Sequence, residues 1–65
     1  MKEFEFKHNE DGTITALRLK NNKYVVLLTF GLNEIPTLLK DISLHLPPEV
    51  RRYMGKLNNE EANNE

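Results

Sequence analysis

A chain of 65 residues with no cysteine and a formal net charge of −1 excludes a disulfide-stapled scaffold, a thiolate metal site and a strongly cationic nucleic-acid binder. No apolar run approaches the ~20 residues that span a bilayer, and Met1-Lys2-Glu3-Phe4-Glu5 lacks the hydrophobic stretch of a secretory signal, so the expected compartment is the cytoplasm. Domains of this size bury only about 60% of the surface their unfolded chains expose. Without disulfides or metal, association is the remaining route to stability.

From Lys2 to His8 the pattern alternates, with Phe4 and Phe6 on one side and Glu3, Glu5 and Lys7 on the other, as in a half-buried strand. Asn9-Glu10-Asp11-Gly12 follows, and Asp-Gly supplies the positive-φ residues of a tight hairpin. Thr13 to Lys20 is the returning strand, with Thr15, Leu17 and Leu19 on one face and Ile14, Ala16, Arg18 and Lys20 on the other. Asn21-Asn22 makes the next turn, because Asn tolerates left-handed backbone. Lys23 to Phe30 is a third strand, apolar on both sides: Tyr24, Val26, Leu28 and Phe30 point one way, Val25 and Leu27 the other.

Gly31 ends the sheet and Asn33 is placed to cap a helix starting at Glu34, with Pro36 in its first turn. Ile35, Leu38, Leu39, Ile42 and Leu46 follow the helical apolar stripe, and Pro47 stops it. Pro48 and Glu49 open a short second helix of about two turns, with Val50, Tyr53, Met54 and Leu57 on one side and Arg51, Arg52 and Lys56 on the other. Gly55 weakens that helix by about 1 kcal/mol relative to alanine. The expected fold is therefore α+β, a three-stranded antiparallel meander followed by one amphipathic helix and a short second helix. One domain is expected over residues 1–58. Residues 59–65, rich in Asn and Glu, read as a disordered acidic tail.

The first helix is expected to lie on the sheet face of Phe4, Phe6, Leu17 and Leu19. That leaves Ile14, Ala16, Val25 and Leu27 as an apolar patch on the second face, rimmed by Arg18, Lys20 and Thr29. Ile14, Ala16, Val25, Leu27 and Thr29 are accordingly the candidate interface, for a second copy or for another protein's strand. The alternative cover is the second helix folding back over the patch.

Catalytic chemistry is thin. His8 and His45 are isolated from each other and from acidic clusters, whereas zinc takes three or four ligands. Ser43 has no histidine at a spacing that marks a nucleophile and its base. Gly12, Gly31 and Gly55 do not form a phosphate loop. No metal, cofactor or small-molecule substrate is implied, and a non-enzymatic role is expected.

The last six residues carry three carboxylates and no base, so residues 1–59 hold nine Lys and Arg against seven acids, a balance of +2. The possible nucleic-acid contacts are Arg18 and Lys20 on the sheet, near Lys7, and Arg51-Arg52 beside Tyr53, where guanidinium groups and an aromatic ring could meet phosphates or a base. As a solvated helix face, Arg51 and Arg52 need no ligand at all.

The run Ile42-Ser43-Leu44-His45-Leu46-Pro47-Pro48-Glu49-Val50 resembles the opening of ribbon-helix-helix repressors, an alternating strand followed by a proline-initiated helix. The resemblance implies Ser43 and His45 as groove-reading residues, with Ile42, Leu44 and Leu46 inward. It spans nine residues, the helical stripe from Ile35 claims the same positions, and no second amphipathic helix follows Leu57. Three-stranded sheets backed by a helix also enter DNA grooves in some integrase arm domains, a likeness of shape alone. Small cysteine-free proteins with Asn- and Glu-rich ends resemble phage and bacterial accessory proteins. The expectation is a small interaction or regulatory protein that self-associates through its third strand. A small DNA-binding regulator is the alternative.

Overall fold

The computed structural model describes residues 2–62, and the end of the acidic tail, residues 63–65, lies outside them. The chain forms two compact units that divide between Gly31 and Leu32. The first is an antiparallel sheet in the order β1 (Phe4–His8), β2 (Thr13–Lys20) and β3 (Lys23–Gly31). The second holds α1 (Ile35–Asp41) and α2 (Pro48–Ala62), with short 3-10 turns over Leu32–Glu34 and Ser43–His45.

Three strands and two helices in this order make the α+β architecture expected from the sequence, but the sheet faces differ. The turn between β1 and β2 is a three-residue loop, Glu10-Asp11-Gly12. Asn9 N–H donates to Thr13 C=O at 2.8 Å, and Gly12 N–H donates to Asn9 C=O at 3.1 Å. Gly12 has φ of +90°, the left-handed residue that ends such a loop. A two-residue Asp-Gly turn would have paired Phe6 with Leu17 and Phe4 with Leu19. The extra residue instead pairs Phe6 with Ala16 and Phe4 with Arg18. One residue of register moves every side chain to the other face. Phe4 and Phe6 therefore share a face with Ile14 and Ala16, not with Leu17 and Leu19.

A second parity change follows on β3. Its register with β2 breaks between Ala16 and Leu17: Ala16 faces Leu28 while Leu17 faces Val26, leaving Leu27 as a bulged residue. Leu28 and Phe30 thus lie on the Ile14 face, and Tyr24 and Val26 on the opposite one, where a regular strand would have kept all four together. The Ile14 face carries the unit's buried residues, Phe4, Ile14, Ala16 and Phe30. The other face has a polar end, where the Asn9 amide donates to the Thr13 and Thr15 hydroxyls at 3.0 and 2.9 Å and Thr15 meets Thr29 at 3.1 Å. Its opposite end is apolar, with Leu17 facing Val26 and Leu19 facing Tyr24.

Between β2 and β3, Asn21 and Asn22 both have positive φ, +52° and +66°, the two-residue turn whose twist matches the strands.

In the second unit α1 is shorter than its apolar stripe. Glu34, not Asn33, precedes it, without a side-chain cap, and it ends at Asp41. The reason lies downstream: in an α-helix the carbonyls of Ser43 and Leu44 would accept from residues 47 and 48, both prolines without an N–H. Ser43 C=O accepts instead from Leu46 N–H at 3.2 Å, and Leu46 is extended (φ −89°, ψ 143°), as the residue before proline prefers. Ser43–His45 is a 3-10 turn and not a strand, so the ribbon of a ribbon-helix-helix repressor is missing there.

α2 starts at Pro48, where an absent N–H costs nothing, and runs 15 residues, longer than the two turns expected. Residues 59–62 are helical where the sequence read as open tail. Ile35, Val50 and Met54 are the buried residues of this unit, and α1 lies against α2.

An added methyl group meets open space at both Gly12 and Gly55, so only backbone preference distinguishes them. Gly12→Ala is expected to destabilise by roughly 1–2 kcal/mol, because its φ is left-handed. Gly55→Ala is expected to stabilise by about 1 kcal/mol inside α2. Urea midpoints of the two variants, moving in opposite directions, check both.

The loop also carries a pH signature. The Thr13 hydroxyl and backbone N–H donate to Asp11 Oδ1 at 2.6 and 3.0 Å. The hydroxyl bond above all holds the carboxyl below its ordinary value of 3.8. A lowered folded pKa gives stability that is fully present above the unfolded pKa and lost as pH falls through the folded one. The melting temperature of Asp11→Ala should therefore lie below that of the unaltered chain at pH 7, and the gap should close as pH drops below 3.8.

Candidate functional site

β3 is an outer strand of the sheet, nine residues long, and no strand lies on its outer side among the described residues. Which of its backbone groups face outward follows from β2. Leu19 N–H donates to Glu3 C=O at 2.7 Å and Thr13 C=O accepts from Asn9, so the odd-numbered residues of β2 turn their backbone toward β1. Backbone direction alternates along a strand, and opposite residues of a wide antiparallel pair both point away from each other. The β3 residues facing Leu19, Leu17, Thr15 and Thr13 are Tyr24, Val26, Thr29 and Gly31. These four present their N–H and C=O groups outward.

The side chains along this edge are apolar and open. Val25, Val26 and Leu27 are 42%, 63% and 39% exposed, and Thr29 is exposed as well. Val25 sits opposite Arg18 on the Ile14 face. Together with Leu27, Glu3, Arg18, Leu19 and Lys20, it lines a shallow concavity of about 440 Å³. Of the residues expected at an interface, the structure thus brings Val25, Leu27 and Thr29 together on β3. It removes Ile14 and Ala16, which are 1% and 0% exposed, because the three-residue loop turned them to the buried face. Val26, the most open of the apolar edge residues, was missed: a regular strand would place it beside Leu28 and Phe30, and nothing in the sequence marks the bulge that separates them.

The cations expected to contact nucleic acid divide between the two units. On the sheet, Arg18 lies over the Phe4 ring, 5.5 Å from its centroid, and pairs with Glu3 at 3.3 Å. Both partners of that pair are about half exposed, where such contacts contribute little. Lys20 faces Lys23 directly across the Asn21-Asn22 turn, a like-charge pair that opposes the hairpin. On α2, Arg52 is exposed, while Arg51 donates to Ser43 C=O at 3.5 Å. Tyr53 beside them is only half open. Burial pushes its phenol pKa up, and Glu60 adds to the shift.

Tyr24 reaches from the edge to the other side of the sheet, its hydroxyl donating to Lys2 C=O at 2.8 Å. His8 and His45 are exposed in separate units, and among the described residues no three His, Asp or Glu side chains converge to hold a metal. No helix among those residues is long and apolar enough to cross a membrane. The chain matches no protein-family model, no curated protein and no solved structure.

Proposed function

We propose that this chain acts by binding protein, as a small interaction or regulatory component that self-associates through the outer edge of β3. The observation that carries the reading is the exposed run Val25-Val26-Leu27 on an edge strand with no strand on its outer side among the described residues. Single exposed apolar residues are ordinary. Three in succession, beside four outward-facing backbone positions, offer apolar area and hydrogen bonds to the same partner. The other edge strand, β1, is five residues long and carries Glu5 and Lys7, the kind of charge that keeps an edge solitary. On β3 the one charged residue, Lys23, sits at the end.

A carboxylate at position 26 would be desolvated by a neighbouring strand but harmless in an isolated sheet. Sedimentation velocity at micromolar concentration is expected to give a dimer for the unaltered chain and a monomer for Val26→Glu, with the far-UV circular dichroism unchanged. Val25→Glu and Leu27→Lys should act the same way. A monomeric unaltered chain, or a Val26→Glu variant that still dimerises, removes this reading.

A second reading, a small DNA-binding regulator, has one specific support: Lys20 and Lys23 repel each other across the turn with Arg18 on the same face, and a polyanion would relieve that repulsion. Lys23→Glu should then stabilise the fold by roughly 0.5 kcal/mol while abolishing salt-sensitive binding to duplex DNA. Denaturant midpoints and fluorescence anisotropy test the two halves, and no DNA binding by the unaltered chain at low salt ends the reading.

A further inference from the structure

The bulge at Leu27 leaves a mark on the outer edge of β3 that bears on which strand can pair there. Outward-facing backbone groups normally recur every second residue. Here they occur at Tyr24 and Val26, then at Thr29 and Gly31, with a step of three residues from Val26 to Thr29. A regular strand laid along this edge aligns its hydrogen bonds on one side of the bulge and loses alignment on the other. A strand with the same three-residue step, run antiparallel, aligns throughout. We infer that the partner built for this edge is β3 of a second copy, paired antiparallel about a two-fold axis that passes between Leu27 and Leu28, so that two sheets join into one of six strands. The inference rests on the self-association proposed above and fixes its geometry.

In this register Tyr24 lies opposite Gly31 of the second copy, and Val26 opposite its Thr29. By the two-fold symmetry the reverse pairs form as well. It is the one two-fold register that sets all four outward residues against outward residues. A dyad at Val25 aligns only Tyr24 with Val26, and a dyad at Phe30 only Thr29 with Gly31.

Side-chain faces agree independently. Val26 and Thr29 lie on the Thr15 face, while Val25 and Phe30, the next opposed pair, lie on the Ile14 face. At the axis Leu27 meets Leu28 of the second copy, both apolar and both partly open.

Charge selects the same arrangement. Lys20 and Lys23 of the two copies fall at opposite ends of the joined sheet, with the Lys23 residues about 30 Å apart along the strands. A dyad at Val25 would bring them to about 13 Å, beyond the roughly 8 Å screening length of physiological salt, so the repulsion is felt chiefly at low ionic strength. The end of β3 away from Lys23 is where Gly31 pairs with Thr13, next to the acidic turn Glu10-Asp11. Antiparallel pairing therefore sends each basic tip toward the acidic end of the other copy.

The chain has no cysteine of its own, so disulfide trapping reads the register directly. Directly opposed residues in hydrogen-bonded antiparallel pairs have Cα atoms about 5.5 Å apart, within disulfide reach. Residues 26 and 29 of one chain are about 10 Å apart, too far to close internally. Both positions are exposed, so cysteines there leave the fold alone.

Under mild oxidation Val26→Cys/Thr29→Cys is expected to run almost wholly at twice the 7.6 kDa chain mass on a non-reducing gel. Each single variant should give at least tenfold less of that band. If Val26→Cys alone links as well as the pair, the axis lies on Val26 and the register is wrong. If the unaltered chain sediments as a dimer that Val26→Glu disrupts but the double variant does not link, the edge pairs in another register and only the pairing geometry falls. If Val26→Glu still dimerises, the dimer uses another surface and the edge proposal falls with it. If the chain sediments as a monomer, self-association falls and takes the register with it.

Discussion

Side chains alternate across a strand with a period of two, so the length of each connection, counted to a single residue, decides what a small sheet buries. This chain changes that parity twice. The loop Glu10-Asp11-Gly12 has three residues, which sets Phe4 and Phe6 with Ile14 and Ala16. The bulge at Leu27 then returns Leu28 and Phe30 to the same face after Val26 has pointed away. Both devices depend on local backbone chemistry: Gly12 at φ +90° for the loop, and the Asn21-Asn22 turn, which fixes where β3 starts its register. The exposed edge is a consequence. The shift that puts Leu28 and Phe30 on the Ile14 face is the shift that leaves Val26 open.

A bulge on an edge strand ordinarily discourages pairing, because it breaks the regular rhythm of donors and acceptors. That protection works against any partner with regular rhythm. It does not work against a strand carrying the same break in the reversed direction, and under two-fold symmetry a second copy is always such a strand. The feature that makes β3 a poor general acceptor would thus make it a selective one, which is how specificity arises when a wrong partner leaves polar groups unpaired. The two edges of the sheet differ accordingly: β1 relies on Glu5 and Lys7, and β3 on geometry.

The elements themselves were legible in the sequence. Thr13–Lys20 could be read to the residue because Asp11-Gly12 and Asn21-Asn22 bracket it, and Lys23 and Pro48 mark true starts. Faces were not legible, because they turn on one residue of loop length and one bulge, and Asp-Gly serves a two-residue turn as readily as the end of a three-residue loop. The candidate site inherited that uncertainty. Val25, Leu27 and Thr29 belong to the edge on any register, whereas Ile14 and Ala16 joined them only on a register the chain does not adopt. The short α1 was readable in principle, since Pro47 and Pro48 sit four residues beyond Ser43 and Leu44, but the apolar stripe through Leu46 conceals it. Stripe continuity records which side chains are apolar. It does not record whether the backbone donors exist.

The hairpin tip poses the remaining tension. Lys20 facing Lys23 lowers the stability of the turn that sets β3 in register, in a chain too small to hold much in reserve. In the proposed pairing, repulsion within a copy becomes useful between copies. Each pair of registers that differs by sliding β3 along its mate also differs in how near the two basic tips come, so charge opposes the registers centred toward Lys23 while the bulge opposes those centred toward Gly31. The two effects have different ranges, one acting through solvent over about 10 Å and the other only at hydrogen-bond distance. Between them they leave a single alignment, with its axis at Leu27 and Leu28, where the edge is most apolar and carries no charge.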